Sequence, residues 1–147
     1  MQIEIIKFTV PGQPQGKGRA KASRFGNHIK MHTPEATVAY ENWIKQNAIA
    51  ALTTVWVPTE KQITAYVRMY YKRPKSGSKK LQADRESGVV RPTTKPDIDN
   101  VLKAVFDSLN SIVYKDDSQI VSVNAEKWYS DTPRVVVELF ELTHVGL

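Results

Sequence analysis

Between positions 61 and 71, apolar and polar residues alternate without a break. Ile63, Ala65, Val67, Met69 and Tyr71 stand against Gln62, Thr64, Tyr66, Arg68 and Tyr70. A period of two is a strand with one apolar face, and that face needs a covering layer. The covering elements are legible on either side. After Pro34, the residues Ala36, Ala39, Tyr40, Trp43, Ile44 and Ala51 recur on one helical stripe. Thr33 is the expected cap, Leu52 the expected end, and Pro58 forbids continuation. After Pro96, Ile98, Val101, Leu102, Val105 and Leu109 share a face opposite Asp99, Asn100, Lys103 and Asp107. Residues 2–10 read as a strand with Ile6, Phe8 and Val10 on one side and Ile3 and Ile5 on the other, both faces at least partly covered. Residues 119–128, with Val121, Val123 and Ala125 on one face, and residues 134–142 read as two more strands. Thr132-Pro133 between them suggests an antiparallel hairpin. Residues 11–33 and 72–96 read as loops, the second with a short helix around 81–86. The expected fold is therefore α/β (α+β), with one mixed sheet packed by helices in the order β-α-β-(long loop)-α-β-β. A single domain is expected over 1–147.

The 147 residues include no cysteine, which excludes a disulfide framework and a thiolate metal site. Only three histidines are present, scattered, so zinc is a poor fit. No apolar run is long enough to span a membrane. The alternating start, with Glu4, lacks the form of a signal peptide, so the expected location is cytoplasmic. The net charge is +6, and its distribution is more telling. Residues 15–30 hold Lys17, Arg19, Lys21, Arg24 and Lys30 and no acid. Residues 72–95 hold Lys72, Arg73, Lys75, Lys79, Lys80, Arg85, Arg91 and Lys95 against Asp84 and Glu86. Those 40 positions carry a net +11 and leave −5 for the rest. Basic surface concentrated in this way suits a polyanion. Lys17, Arg19, Lys21, Arg24, Lys72, Arg73, Lys75, Arg91 and Lys95 are the candidate DNA contacts.

The acids are concentrated elsewhere. Asp97 and Asp99 open the second helix, Lys103 follows Asp99 by one turn on the same face, and Asp116-Asp117 follow the helix end. Inside a regular helix, Asp97 and Asp99 would point about 200° apart. As a non-helical cap, Asp97 can swing toward Asp99, and a strand starting after Asp117 can run back against the helix. Four carboxylates would then meet around one point, which suits magnesium, a hard cation content with oxygen ligands, water and phosphate. Each residue also has a plain structural use: Asp97 as a cap, Asp99 and Lys103 as an exposed pair, Asp116-Asp117 as a turn. Their coincidence with Arg91 and Lys95 just upstream favours chemistry on a phosphodiester.

The stretch Asp97-Ile98-Asp99-Asn100-Val101-Leu102-Lys103-Ala104-Val105-Phe106-Asp107-Ser108-Leu109, followed by Asp116-Asp117-Ser118-Gln119-Ile120, resembles the RusA family of Holliday junction resolvases, phage and prophage enzymes. Gly12-Gln13-Pro14 and Thr33-Pro34 are weaker matches. The resemblance implies a homodimeric, metal-dependent endonuclease that places symmetric nicks across a four-way DNA junction. It implies Mg2+, with Mn2+ as a substitute. It matches Asp97, Asp99 and Asp117 to the essential metal-binding acids, Asp116 to a supporting acid and Lys103 to the catalytic lysine. The basic 72–95 loop is larger than expected for compact members, which bears on junction preference.

Two rival readings use the same residues. One is a nuclease acting on flaps or forks with an unchanged site. The other is a non-catalytic DNA-binding protein whose acids are caps and turns. Among the remaining residues, Tyr40 and Trp43 read as core or dimer packing, and Phe106, off the main stripe, as cover for a second surface. Tyr70 and Tyr71 read as one core residue and one possible base-stacking residue.

Overall fold

The computed structural model describes residues 1–144; the last three positions of the expected 1–147 domain lie outside the described residues. The alternating stretch forms the strand β4 (Ile63–Lys72), with Ile63, Ala65, Val67, Met69 and Tyr71 all buried. Three further strands join it: β1 (Gln2–Pro11), β5 (Ile120–Ser130) and β6 (Arg134–Leu142). The sheet order is β1-β6-β4-β5. β6 is antiparallel to both β1 and β4, whereas β5 runs parallel to β4, so the sheet is mixed.

The expected β5–β6 hairpin does not form. β4 lies between the two strands and pairs with both, Tyr70 facing Trp128 on one side and Arg134 on the other. A strand with one fully buried face and a half-buried second face gains most at the sheet centre. Residues 131–133 bridge two strand spacings, roughly 10 Å, which lies within the reach of three residues.

α1 (Glu35–Ala51) and α3 (Ile98–Leu109) cover one face, packing against each other, and α1 also packs on β1. The core between layers contains Ile6, Phe8 and Val10 from β1, Tyr40 and Ile44 from α1, Val101 and Val105 from α3, and Val135 and Val137 from β6. Two expectations need correction. Thr33 does not cap α1: Pro34 occupies the cap position, with no side-chain bond. The buried stripe of α1 is Thr37, Tyr40, Ile44 and Ala48, rotated from the expected one, and Trp43 is 40% exposed while its indole N–H donates to the Pro11 carbonyl at 2.7 Å. On the second face of β1, Ile3 is exposed while Ile5 is half-buried and packs against the core.

Both expected loops contain regular structure. Within 11–33, β2 (Lys21–Phe25) and β3 (His28–His32) make an antiparallel hairpin. Within 72–96, α2 (Lys79–Ser87) is capped by Ser78, whose side chain accepts from the Leu81 N–H at 3.1 Å, and ends at Gly88 with φ 84°. Arg73 ties this segment down, reaching Asp131 at 2.7 Å and Glu86 at 3.3 Å. Arg91 meets Glu126 at 3.1 Å and lies 3.8 Å over the Trp128 ring. No helix of the described residues is long and apolar enough to cross a membrane.

Candidate active site

Asp97 stands at the mouth of α3 with extended backbone (φ −70°, ψ 155°), and its carbonyl accepts the Val101 N–H at 3.1 Å. Its carboxylate caps nothing and is exposed. The plain structural use of this side chain is therefore not made. Around it lie Lys95, Arg19, Lys17 and Asn100, lining an open cleft of about 520 Å³. Two groups behind Asp97 sense its charge. Lys127, from β5, donates to the Thr94 carbonyl at 2.7 Å, and its ammonium is pushed down by burial against the pull of Asp97. The Tyr71 hydroxyl donates to the Pro96 carbonyl at 2.6 Å and is pushed up to about 12, by burial first and then by Tyr40 and Asp97.

From Asp99, in the first turn of α3, the positions Lys103 and Asp107 follow at four-residue steps. Each step drifts about 40° around the helix, so the three share one face. The turn after the helix meets this face. Its 3₁₀ segment, Asp117–Gln119, is held by a reciprocal cap: the Asp116 carboxylate accepts the Ser118 N–H at 3.0 Å, and the Asp116 N–H donates to Gln119 Oε1 at 2.9 Å. Gln119 Nε2 then donates to the Thr59 and Lys61 carbonyls at 2.8 and 2.9 Å, which ties the turn to the start of β4. Bonding to Ser118 holds the Asp116 carboxyl below the usual range. Asp117 goes the other way. Burial raises it, as do the adjacent Asp107 carboxylate and Asp116, and Lys103 offsets part of the rise. Beneath the pair lies Tyr114, fully buried, its hydroxyl spent on the Phe106 carbonyl at 2.6 Å.

Asp107 has a second neighbour from far away in sequence. Lys17 Nζ lies 2.8 Å from Asp107 and 3.6 Å from Glu41, and bonding to Asp107 raises its pKa despite burial. Two glycines bring the loop this close. A Cβ on Gly16 would meet Asn100 Nδ2 at 2.5 Å, and one on Gly18 would meet Thr37 Oγ1 at 2.7 Å. The bare backbone instead forms bonds there: Lys17 N–H to the Asn100 carbonyl at 3.2 Å and Gly18 N–H to Thr37 Oγ1 at 2.9 Å.

The structure thus brings Asp117 to Lys103 and Asp107, and sets Asp97 in the cleft beside Lys17 and Lys95. It does not bring four carboxylates to one point. Among the described residues, no three His, Asp or Glu side chains converge closely enough to cage a metal. The donors still fit a hard cation. They are all carboxylate oxygens, Asp97 is unspent, and Asp117 is held half-buried against a like charge. Magnesium commonly takes one or two carboxylates and completes its shell with water and substrate phosphate. Of the expected DNA contacts, Lys17, Arg73 and Arg91 are already committed to carboxylates. Arg19, Lys21, Arg24, Lys72, Lys75 and Lys95 make no ion pair among the described residues, and all are exposed. Asp107, Glu41 and Lys127 were missed as site residues. Asp107 was signalled by its eight-residue spacing from Asp99; nothing local signalled the other two. Tyr71 is the core residue of its pair, and Tyr70 lies under Arg134 at 3.9 Å.

Fold and site together define a small α/β protein with an acidic helix face under a basic overhang. The chain belongs to the RusA family: the family model described as endodeoxyribonuclease RusA matches residues 11–140. It is also similar to the uncharacterized protein YqaN of Bacillus subtilis (strain 168). The two are 36% identical over 143 residues, which covers 96% of this chain and 99% of that one.

Proposed function

We propose that this chain is an endodeoxyribonuclease that resolves four-way DNA junctions by paired symmetric nicks. It acts as a homodimer with magnesium, or manganese in its place. The observation that carries this reading is the Asp107–Asp117 pair, held half-buried on the helix face of Asp99 and Lys103 in a member of the RusA family. A chain that only bound DNA would gain nothing from keeping two like charges together. Asp97, Asp99 and Asp117 are the carboxylates that would supply ligands to a divalent ion, one or two at a time, with water and substrate phosphate completing its shell. When bound there, the ion supplies charge neutralisation and a water of lowered pKa. Asp116, locked on Ser118, aims Asp117. The Lys103 ammonium holds the attacked phosphate as a point charge. Arg19, Lys21, Arg24, Lys72, Lys75 and Lys95 carry the DNA backbone.

The test compares a mobile four-way junction, a flap and plain duplex, with magnesium and with chelator. The junction should be cut in opposed strands and only with the metal. Asp99→Asn should lower the rate by on the order of 10²-fold or more while junction binding survives. A folded Asp99→Asn protein that cuts at the original rate refutes the site. Equal cutting of the flap would transfer the same site to the flap reading.

A further inference from the structure

The β2–β3 hairpin stands off the body. Every residue of β3 is exposed, and in β2 every residue except Ser23. Phe25, Ile29 and Met31 are 66%, 71% and 59% exposed, large apolar side chains held out to solvent on the arm. The pairing sorts the side chains between two faces. Lys21, Ser23 and Phe25 stand opposite His32, Lys30 and His28 on one face; Ala22 and Arg24 stand opposite Met31 and Ile29 on the other. The first face is therefore a cationic track ending in an aromatic ring at the turn. Residues 16–34 contain no acid to oppose it. The arm leaves the body at the candidate site, where Gly18 is pinned to Thr37 and Arg19 lines the cleft of Asp97.

We infer that this hairpin reads the DNA branch point, with Lys21 and Lys30 on phosphates and Phe25 stacked on a base left open where strands exchange. The inference rests on the branched-DNA reading above. Lysines alone would hold any duplex. An aromatic tip finds no free base face along an intact duplex, because each base is covered on both sides. At a branch, the pairs beside the crossover have an open face, and stacking there is indifferent to sequence. Phe25 would thus supply the discrimination that the charges cannot.

The experiment measures binding of the full chain, in chelator, to a labelled immobile four-way junction and to a linear duplex of equal length. Phe25→Ala should weaken junction binding about 10-fold and leave duplex binding within about 2-fold. Phe25→Trp should keep both affinities. Lys21→Ala with Lys30→Ala should weaken both substrates together and flatten the salt dependence. If Phe25→Ala leaves the junction preference intact, the inference fails and the nuclease reading stands. If Phe25→Ala or Met31→Ser instead dissociates the protein into smaller species, the arm binds a second copy of the chain and the inference also fails. A wild-type protein that binds junction and duplex alike removes the branched-DNA reading, and this inference with it.

Discussion

Asp117 carries its charge at a disadvantage. Burial and the Asp107 carboxylate raise its folded-state pKa above the unfolded one. For an acid shifted this way, the stabilising contribution is full below the ordinary carboxylate pKa and is lost as pH rises through the raised value. Asp117→Asn should therefore raise the melting temperature by a few degrees at neutral pH in chelator, and the difference should close as the buffer is taken down to about pH 4. With Asp117 in its proposed role as a metal ligand, magnesium should reverse the order, since wild type would gain stability by binding the ion and the variant would gain less. Thermal unfolding with and without the metal reads both effects; a variant less stable than wild type in chelator would contradict the strained pair. Asp97, Asp99 and Lys103 were legible because they lie within seven positions of one helix start. Asp107 was legible in the same period but reads as solvent face unless its partner is known. The pairing of Lys17 with Asp107 across 90 positions was not legible, because no local pattern reports a contact between a loop and a distant helix.

At the level of elements, strong periods were readable and strand order was not. The alternation of β4 survives; the stripe of α3 holds at Val101, Val105 and Leu109, whereas Ile98 is exposed and Leu102 half-buried, with Ala104 and Ser108 buried in their place. The partner choice of β5 and β6 depends on β4 preferring the centre of the sheet, a property of the whole layer. The β2–β3 hairpin did carry a local signal, Gly26-Asn27 between two paired strands, with Gly26 at φ 59°. Its strands lack the apolar alternation that a buried face would impose, so the segment reads as loop. The Gly16–Gly18 loop makes its own prediction. At Gly18 a Cβ would press on the buried Thr37 and on the Pro34 ring, 3.1 Å away. Gly18→Ala should destabilise by about 1–2 kcal/mol in urea unfolding. It should also slow junction cleavage at saturating magnesium, because the loop carrying Lys17 would lift off α3. An unchanged denaturation midpoint would show that the approach is not needed.

Across the whole molecule, the +6 charge is a balance between a basic overhang and an acidic remainder. Counting basic residues overstates what is free to meet DNA. Of the nine expected contacts, Lys17, Arg73 and Arg91 hold the protein's own acids. The remaining six predict a slope of about −5 for log affinity against log salt per protomer; all nine would give about −8. Binding isotherms from about 50 to about 200 mM salt separate the two. One consequence of Lys17 reaches further. Its ammonium gives the acidic face a resident counterion, so the fold should not need a divalent ion to hold its shape. Stripping the ion should silence cleavage while circular dichroism stays unchanged, and resupply should restore activity without a refolding lag. On the proposed reading, the ion would be a reagent collected with each substrate, not a part built in during folding.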